Sequence, residues 1–146
     1  MKFLVINGPN LNLLGTRQVE IYGKDTYKDL KHYLASLKKR YSIKLKVKQS
    51  NKEYKILSWL HKSFKQNYDG VLLNPAALGH YSISLLDAVL ALQVPCVEVH
   101  LSDVQHREPF RKVLVLDHAN IPRVSGLGFS SYEEGLKMLI KEVTTL

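Results

Sequence analysis

Short runs of apolar, β-type residues alternate along this chain with segments of helical spacing, and this alternation limits the fold more than any other feature. The predicted strands lie at 3–6, 43–47, 70–73, 95–99 and 124–127. Between and after them, helices are predicted to begin at Thr26, Asn51, Ser82 and Ser131. Alternating strands and helices with short connections predict an α/β protein with a parallel sheet, because parallel neighbours need a crossover.

Five strands in this order favour the flavodoxin-like, doubly wound arrangement, with helices on both faces of the sheet. The second strand would lie at an edge, where Lys44, Lys46 and Lys48 alternate with Leu45 and Val47. Ligands of such sheets bind beyond the carboxyl ends of the strands. We therefore expect the functional residues in the loops that follow the first, third and fourth strands, the first loop running from 9 to about 25.

Size and composition narrow the class of protein. A chain of 146 residues predicts a single domain over 1–146. The single cysteine, Cys96, excludes an internal disulfide and fits a reducing compartment. No apolar run approaches the roughly 20 residues that span a bilayer, and the short N-terminal run does not resemble a signal peptide. These features predict a cytoplasmic protein without a membrane partner.

The net charge of +8 comes from one region of the chain. Thirteen basic residues against three acidic ones lie between Lys24 and Lys65. Such a field attracts anionic substrates or nucleic acid, but the same spacing is typical of a solvated face. No base-stacking motif accompanies it, so we do not expect nucleic acid as a partner.

The three loops are rich in polar side chains that can do acid–base chemistry. Arg17 and Tyr22 share the first loop, His80 follows the third strand and His100 follows the fourth. No phosphate-binding loop, metal-ligand spacing or serine elbow occurs, so we expect neither a cofactor nor a metal. What remains is proton transfer by tyrosine and histidine, with arginines for a small anionic substrate. An arginine beside Tyr22 would favour its phenolate form.

The loop sequences resemble the type II 3-dehydroquinate dehydratases. The first block is Asn7-Gly8-Pro9-Asn10-Leu11-Asn12-Leu13-Leu14-Gly15 with Arg17 and Ile21-Tyr22-Gly23. The later blocks follow in order: Gln49-Ser50-Asn51 with Glu53, Asn74-Pro75-Ala76-Ala77 with His80 and Ser82, Glu98-Val99-His100-Leu101-Ser102 with Arg107-Glu108 and Phe110-Arg111, and Gly126-Leu127-Gly128. The match covers almost the whole chain.

This resemblance implies dehydration of 3-dehydroquinate to 3-dehydroshikimate in the shikimate pathway, through an enolate and without metal or imine. Tyr22 would accept the proton, Arg17 would keep that tyrosine anionic, and His100 would protonate the departing hydroxyl. Glu98 would orient the histidine, and Asn12 with a held water would stabilise the enolate. Substrate hydroxyls and carboxylate would be bound by Asn74, His80, Arg111 and the backbone of Leu101 and Ser102.

The resemblance also implies a homo-oligomer, with trimers assembled into a dodecamer. Asp87 interrupts an apolar helix, where burial of an unpaired carboxylate is costly. It matches an aspartate that reaches the neighbouring subunit's site; the alternative is a local salt bridge. Departures from the family pattern occur at Val19, Tyr54, Gly79, Leu86, Leu114 and Pro122.

An alternative function is a flavodoxin-like module that binds a nucleotide or another small molecule without catalysis. Such a module would retain a chromophore or ligand at the same strand ends. It would leave the combination of Arg17, Tyr22 and His100 without a role.

Overall fold

Five parallel strands form one sheet in the order β2-β1-β3-β4-β5. The computed structural model describes residues 1–16 and 19–146, with Tyr22 described by its backbone alone. The strands are β1 (Lys2–Asn7), β2 (Lys44–Gln49), β3 (Gly70–Asn74), β4 (Cys96–Val99) and β5 (Arg123–Val124). The prediction of a doubly wound, flavodoxin-like sheet with β2 at an edge is confirmed.

Helices cover both faces of this sheet, as predicted. They are α1 (Val19–Tyr22), α2 (Tyr27–Arg40), α3 (Glu53–Lys62), α4 (Ile83–Leu90) and α5 (Ser130–Thr145). Short 3₁₀ helices lie at Leu11–Leu13, Ala76–His80, Val104–His106, Pro109–Arg111 and Val115–Ala119. The described part of the chain contains no helix long and apolar enough to cross a membrane.

Successive residues of β1 enter two different cores. Phe3 and Val5 pack with buried residues of α2 and α5 on one face. Leu4 and Ile6 pack with those of α3 and α4 on the other. A strand buried on both faces needs apolar side chains at every position, which is why this segment reads as a continuous run rather than an alternation.

Two of the predicted helix starts are confirmed in atomic detail. The Oγ1 atom of Thr26 accepts the N–H of Asp29, and the Asp29 carboxylate accepts the N–H of Thr26 at 2.8 Å, which together form a capping box. The Oγ atom of Ser82 accepts the N–H of Leu85 at 2.9 Å and caps α4.

The other two predicted caps are wrong, because both side chains bind elsewhere. Helix α3 begins after Lys52, and Asn51 instead accepts the N–H of Asn10 at 2.9 Å, which ties the first loop to the end of β2. Helix α5 runs from Ser130 to Thr145, so it begins one residue before the predicted start at Ser131. Ser131 is buried in its first turn and accepts the N–H of Leu127 at 3.1 Å.

Strand β5 has only two residues, where the sequence predicted 124–127. Gly126 and Gly128 have φ angles of +82° and +58°, so the backbone leaves the extended conformation soon after Val124. The first loop also contains more structure than expected, namely a 3₁₀ helix and α1. The turn after β5 lies beside the loop that follows β4, because Gly128 donates its N–H to the carbonyl of Leu101 at 3.0 Å.

Candidate active site

A cavity opens at the carboxyl ends of β1, β3 and β4, beside the loops in which the sequence predicts the functional residues. Its walls come from the loops after those strands and from the 3₁₀ helices between β4 and β5. The lining residues are Pro9, Asn10, Leu11, Leu14, Asn74, Ala76, Ala77, His80, His100, Leu101, Ser102, Val104, Arg107 and Arg111. Parallel strands end together at one edge, so residues far apart in sequence converge there.

The innermost polar group of the site is the pair formed by Glu98 and His100. Glu98 lies on β4 and is fully buried, whereas His100 follows the strand and is 6% exposed. The Nε2 atom of His100 donates to Oε1 of Glu98 at 2.7 Å. Because Nε2 is occupied by Glu98, Nδ1 is the ring nitrogen available to a molecule in the cavity.

The second oxygen of Glu98 binds an arginine from the neighbouring strand. The Nε atom of Arg123 on β5 donates to Oε2 of Glu98 at 2.8 Å. The Nη2 atom of the same arginine donates to Oδ1 of Asp117 at 2.5 Å. Burial lowers the pKa of Arg123, but its bonds to Asp117 and Glu98 outweigh this and raise the pKa overall. A continuous chain of charge-assisted hydrogen bonds thus leads from His100 to the surface.

The loop after β3 contributes an amide and a second histidine. The Nδ2 atom of Asn74 donates to the hydroxyl of Tyr132 at 2.8 Å, and Oδ1 of Asn74 accepts the N–H of Ala76 at 3.2 Å. These two bonds hold the orientation of the Asn74 side chain in the cavity wall. Tyr132 is fully buried, and burial raises the pKa of its hydroxyl well above its ordinary range.

His80 is held in one orientation by a backbone carbonyl. Its Nδ1 atom donates to the carbonyl oxygen of Val113 at 2.9 Å, which leaves Nε2 for the cavity. Burial lowers the pKa of His80, and the neighbouring His100 and Arg111 lower it further, although the bond to Val113 opposes them. The neutral ring can therefore accept a hydrogen bond from a hydroxyl group of a ligand.

Two arginines give one side of the cavity a positive potential. Arg107 donates to Oγ of Ser102 at 3.3 Å, and Nε of Arg111 lies 3.0 Å from Oε2 of Glu108. A bond from its own backbone lowers the pKa of Glu108, with further contributions from Arg107 and Arg111. A small anion is the ligand this side of the cavity favours.

The loop after β4 offers backbone donors close to these arginines. Leu101 and Ser102 line the cavity, and neither of their N–H groups donates to another described residue. The carbonyl of Leu101 is occupied by Gly128. Two adjacent backbone N–H groups of this kind can bind a carboxylate.

Four other predicted site residues lie apart from this cavity or outside the description. Asn12 is exposed at the first loop, where its Oδ1 accepts from Nε2 of Gln49 at 3.4 Å, and it does not line the cavity. Asp87 is exposed on α4, away from the cavity wall, and forms no ion pair with another described residue. Arg17 and the side chain of Tyr22 lie outside the described residues.

Two of the departures noted in the sequence, Gly79 and Tyr54, differ in their distance from the cavity. Gly79 is buried beside the site, and a Cβ atom there would lie 2.9 Å from Cγ of Pro75 and 3.7 Å from Oε1 of Glu98. A larger residue would therefore require the Pro75 ring to shift. Tyr54 is 62% exposed on α3 and does not line the cavity.

The thiol and metal chemistry of the described residues is limited. Burial and the neighbouring Glu98 carboxylate raise the pKa of the Cys96 thiol to about 12, so this cysteine stays protonated. Within 1–16 and 19–146, no three histidine, cysteine or carboxylate side chains are grouped to hold a metal ion.

Residues 1–140 match the family described as dehydroquinase class II. The chain belongs to the class II dehydroquinase family. A 3-dehydroquinate dehydratase of Clostridium perfringens is 41% identical over 143 residues, 98% of each chain. Another, from Carboxydothermus hydrogenoformans, is 44% identical over 140 residues, 96% of this chain and 90% of that protein. The type II dehydroquinase structure from Butyrivibrio crossotus has a TM-score of 0.93 at 36% identity and covers 96% of this chain and 97% of that one. The resemblance stated from the motifs is confirmed.

Three residues around the site were not predicted from the sequence. Arg123 and Asp117 complete the chain of bonds to Glu98, and Tyr132 orients Asn74. The available signal was Arg123 itself, a charged side chain directly before the predicted strand at 124–127. Tyr132 lay within a helical pattern that gave no sign of its contact with β3.

Proposed function

We propose that this chain dehydrates 3-dehydroquinate to 3-dehydroshikimate by acid–base elimination through an enolate. The observation that carries the proposal is the buried Glu98–His100 pair at a cavity lined by Arg107 and Arg111. In a member of the class II dehydroquinase family, this combination supplies an acid next to a site for an anionic substrate.

His100 is the general acid in this proposal. Glu98 occupies Nε2, so Nδ1 of the protonated ring can deliver a proton to the departing hydroxyl group. The C–O bond then breaks, water leaves, and the electrons of the enolate form the new carbon–carbon double bond. The carboxyl group of Glu98 orients the ring through this bond.

Tyr22 is the base in the same proposal, and Arg17 is its activator. The support is the sequence resemblance, because Arg17 and the Tyr22 side chain lie outside the described residues. A guanidinium beside the phenol favours the phenolate, which can remove the proton next to the ketone. Asn12, together with a held water, would stabilise the enolate from the first loop.

Substrate binding is assigned to the rest of the cavity wall. The substrate carboxylate would bind Arg111 and the backbone N–H groups of Leu101 and Ser102. Hydroxyl groups would bind Asn74 and the neutral ring of His80. The orientation of these last two side chains is already set by Tyr132 and Val113, which lowers the entropy cost of binding.

We further propose a homo-oligomer built from trimers, in a reducing cytoplasmic setting. Ile83, Asp87 and Leu90 have the spacing of one helical face, and the two apolar side chains are 60% and 58% exposed. An apolar face of this kind favours a subunit partner. Asp87 would then reach the neighbouring subunit's site. Light scattering of an Asp87→Lys variant tests this proposal. We expect the oligomer to dissociate, whereas an unchanged molecular mass contradicts the proposal.

The activity is tested by ultraviolet absorbance, because the product is a conjugated enone. Purified protein is mixed with 3-dehydroquinate, and we expect growth of the enone signal. Tyr22→Phe and His100→Gln variants should each lose at least about 100-fold in kcat, as expected for a base or acid of this kind.

Matched controls are available for both residues. Tyr27 begins α2, and burial raises the pKa of its hydroxyl despite an opposing contribution from Asn7, so it is a poor base. His61 is exposed on α3. Tyr27→Phe and His61→Gln should keep kcat within about threefold of the wild type. A folded wild-type protein without enone production would contradict the proposed function and favour a non-catalytic binding module.

A further inference from the structure

The hydrogen bonds that start at His100 continue beyond Glu98, the carboxyl group that orients it. Glu98 is fully buried and uses one oxygen for His100 and the other for Arg123. Arg123 in turn binds Asp117, whose side chain is 59% exposed. The buried carboxylate is thus connected through one arginine to the protein surface.

We propose that Arg123, held in place by Asp117, is a positioning residue that acts on His100 through the buried Glu98 carboxylate. This inference rests on the proposed function, in which His100 donates the proton. Arg123 itself is not among the residues that line the cavity.

The physical reason is the cost of an ionised carboxylate without water. Glu98 has no exposed surface, so its charged form needs a counter-charge and hydrogen bonds to both oxygens. Arg123 supplies a permanent cation 2.8 Å from Oε2. Without it, Oε2 of Glu98 would lack both its hydrogen-bond donor and its counter-charge, and the carboxyl group that binds Nε2 of His100 would lose the contact that fixes its position.

The register of β4 and β5 places Arg123 beside Glu98. Glu98 pairs with Arg123 in the parallel register of β4 and β5, and His100 donates its backbone N–H to the carbonyl of Val124 at 2.9 Å. The same two-residue strand therefore holds both the backbone of the acid and the partner of its carboxylate. Asp117, from the 3₁₀ helix Val115–Ala119, fixes the other end of the guanidinium group.

The first test separates a positioning role from a merely structural one by kinetics. Arg123→Met keeps the approximate side-chain volume and removes the charge, and Arg123→Lys restores the charge. We expect Arg123→Met to lower kcat about 10-fold, a part of the roughly 100- to 10,000-fold contributed by a positioned general acid. KM should change less than about twofold because no substrate contact is lost. Arg123→Lys should recover part of kcat.

A double variant tests whether the effect passes through Glu98. In a Glu98→Gln background the carboxylate is already gone, so adding Arg123→Met should cost no further activity. Asp117→Asn, at an exposed position, is a second route if Arg123→Met does not fold, and it should lower kcat in the same direction by less. Arg40→Met is the matched control, because Arg40 pairs with Glu133 at 2.7 Å away from the site.

The ring nitrogens of His100 give a readout that does not depend on turnover. In ¹⁵N-histidine-labelled protein, we expect the neutral wild-type ring to carry its proton on Nε2. Arg123→Met should move population to the Nδ1–H form, whereas Arg40→Met should leave the spectrum unchanged. The His100 signal is assigned by its loss in His100→Gln.

The outcomes distinguish this inference from the proposed function. Three outcomes would each overturn the positioning role. The first is an unchanged kcat in Arg123→Met, and the second is an unchanged ring spectrum of His100 in that variant. The third is a double variant whose fold-loss in kcat equals the product of the losses in Glu98→Gln and Arg123→Met. An inactive wild type whose His100 tautomer still depends on Arg123 would overturn the proposed reaction and support the positioning contact.

Discussion

Replacing Glu133 with glutamine tests how α2 and α5 are held together. The Glu133 carboxylate accepts hydrogen bonds from the hydroxyl groups of Tyr33 and Tyr41 at 2.9 and 2.7 Å, and from Arg40 at 2.7 Å. The bond from Tyr41 leads the contributions that lower the pKa of Glu133 to about 2, although partial burial opposes them. These bonds join the two helices that cover one face of the sheet.

The magnitude follows from the shift in pKa and from exposure. A fall from an ordinary value of 4.5 to about 2 corresponds to at most about 3 kcal/mol in favour of the charged form. Arg40 is 57% exposed, so solvent screens its share. We therefore expect Glu133→Gln to lower the free energy of unfolding at pH 7 by about 2 kcal/mol, or about 5 °C in Tm.

The pH dependence has a definite sign. The folded state holds Glu133 ionised at pH values where the unfolded chain would protonate it, so its contribution is complete above about 4.5 and is lost as pH falls toward about 2. Thermal melts of the wild type should show this loss, and melts of Glu133→Gln should show less of it. The control is Glu134→Gln. Among the described residues Glu134 forms an ion pair only with Lys137, on the surface, and it should contribute less than about 0.5 kcal/mol. Equal Tm values for wild type and Glu133→Gln at pH 7 would refute this reasoning.

Two further predictions concern packing and acid stability. Gly135→Ala should destabilise the protein by about 1–3 kcal/mol, because the new Cβ would lie 2.7 Å from Cδ1 of Leu72. An unchanged midpoint of chemical denaturation would contradict this, since it would mean that the side chain of Leu72 moves aside without cost. The lowered pKa of His80, caused first by burial, means that the unfolded chain binds its proton more readily, so stability should fall as pH drops below 6.5. His80→Gln should weaken that dependence in Tm measured against pH, whereas exposed His61→Gln should not.

Much of the fold was predictable because its signals are local. The apolar run of β1 and the Thr26 cap depend on residues within a few positions of each other, so pattern alone identifies them. The predicted caps at Asn51 and Ser131 failed for the opposite reason. Each side chain had an alternative partner, and for Asn51 that partner, Asn10, lies 41 positions away.

The site divides in the same way. His100 could be proposed from its position just after a predicted strand, and Glu98 from the resemblance to the family. Their connection to Arg123 could not, because it depends on β4 and β5 lying side by side in register. The apolar helix around Asp87 was predicted from the sequence. That Asp87 itself is exposed follows from the packing of α4, which turns one face of the helix toward the core.

The sequence by itself determined the alternation of strands and helices, the loops that carry the polar residues, and the family to which the chain belongs. These properties depend on side-chain type and short-range spacing, which a linear chain contains completely. Only the tertiary structure decided which atoms meet: the tautomer-selecting bond to His100, the bridge from Glu98 to Asp117, and the hydroxyl of Tyr132 behind Asn74. Hydrogen bonds act over about 3 Å, so such contacts exist only after packing brings distant segments into register.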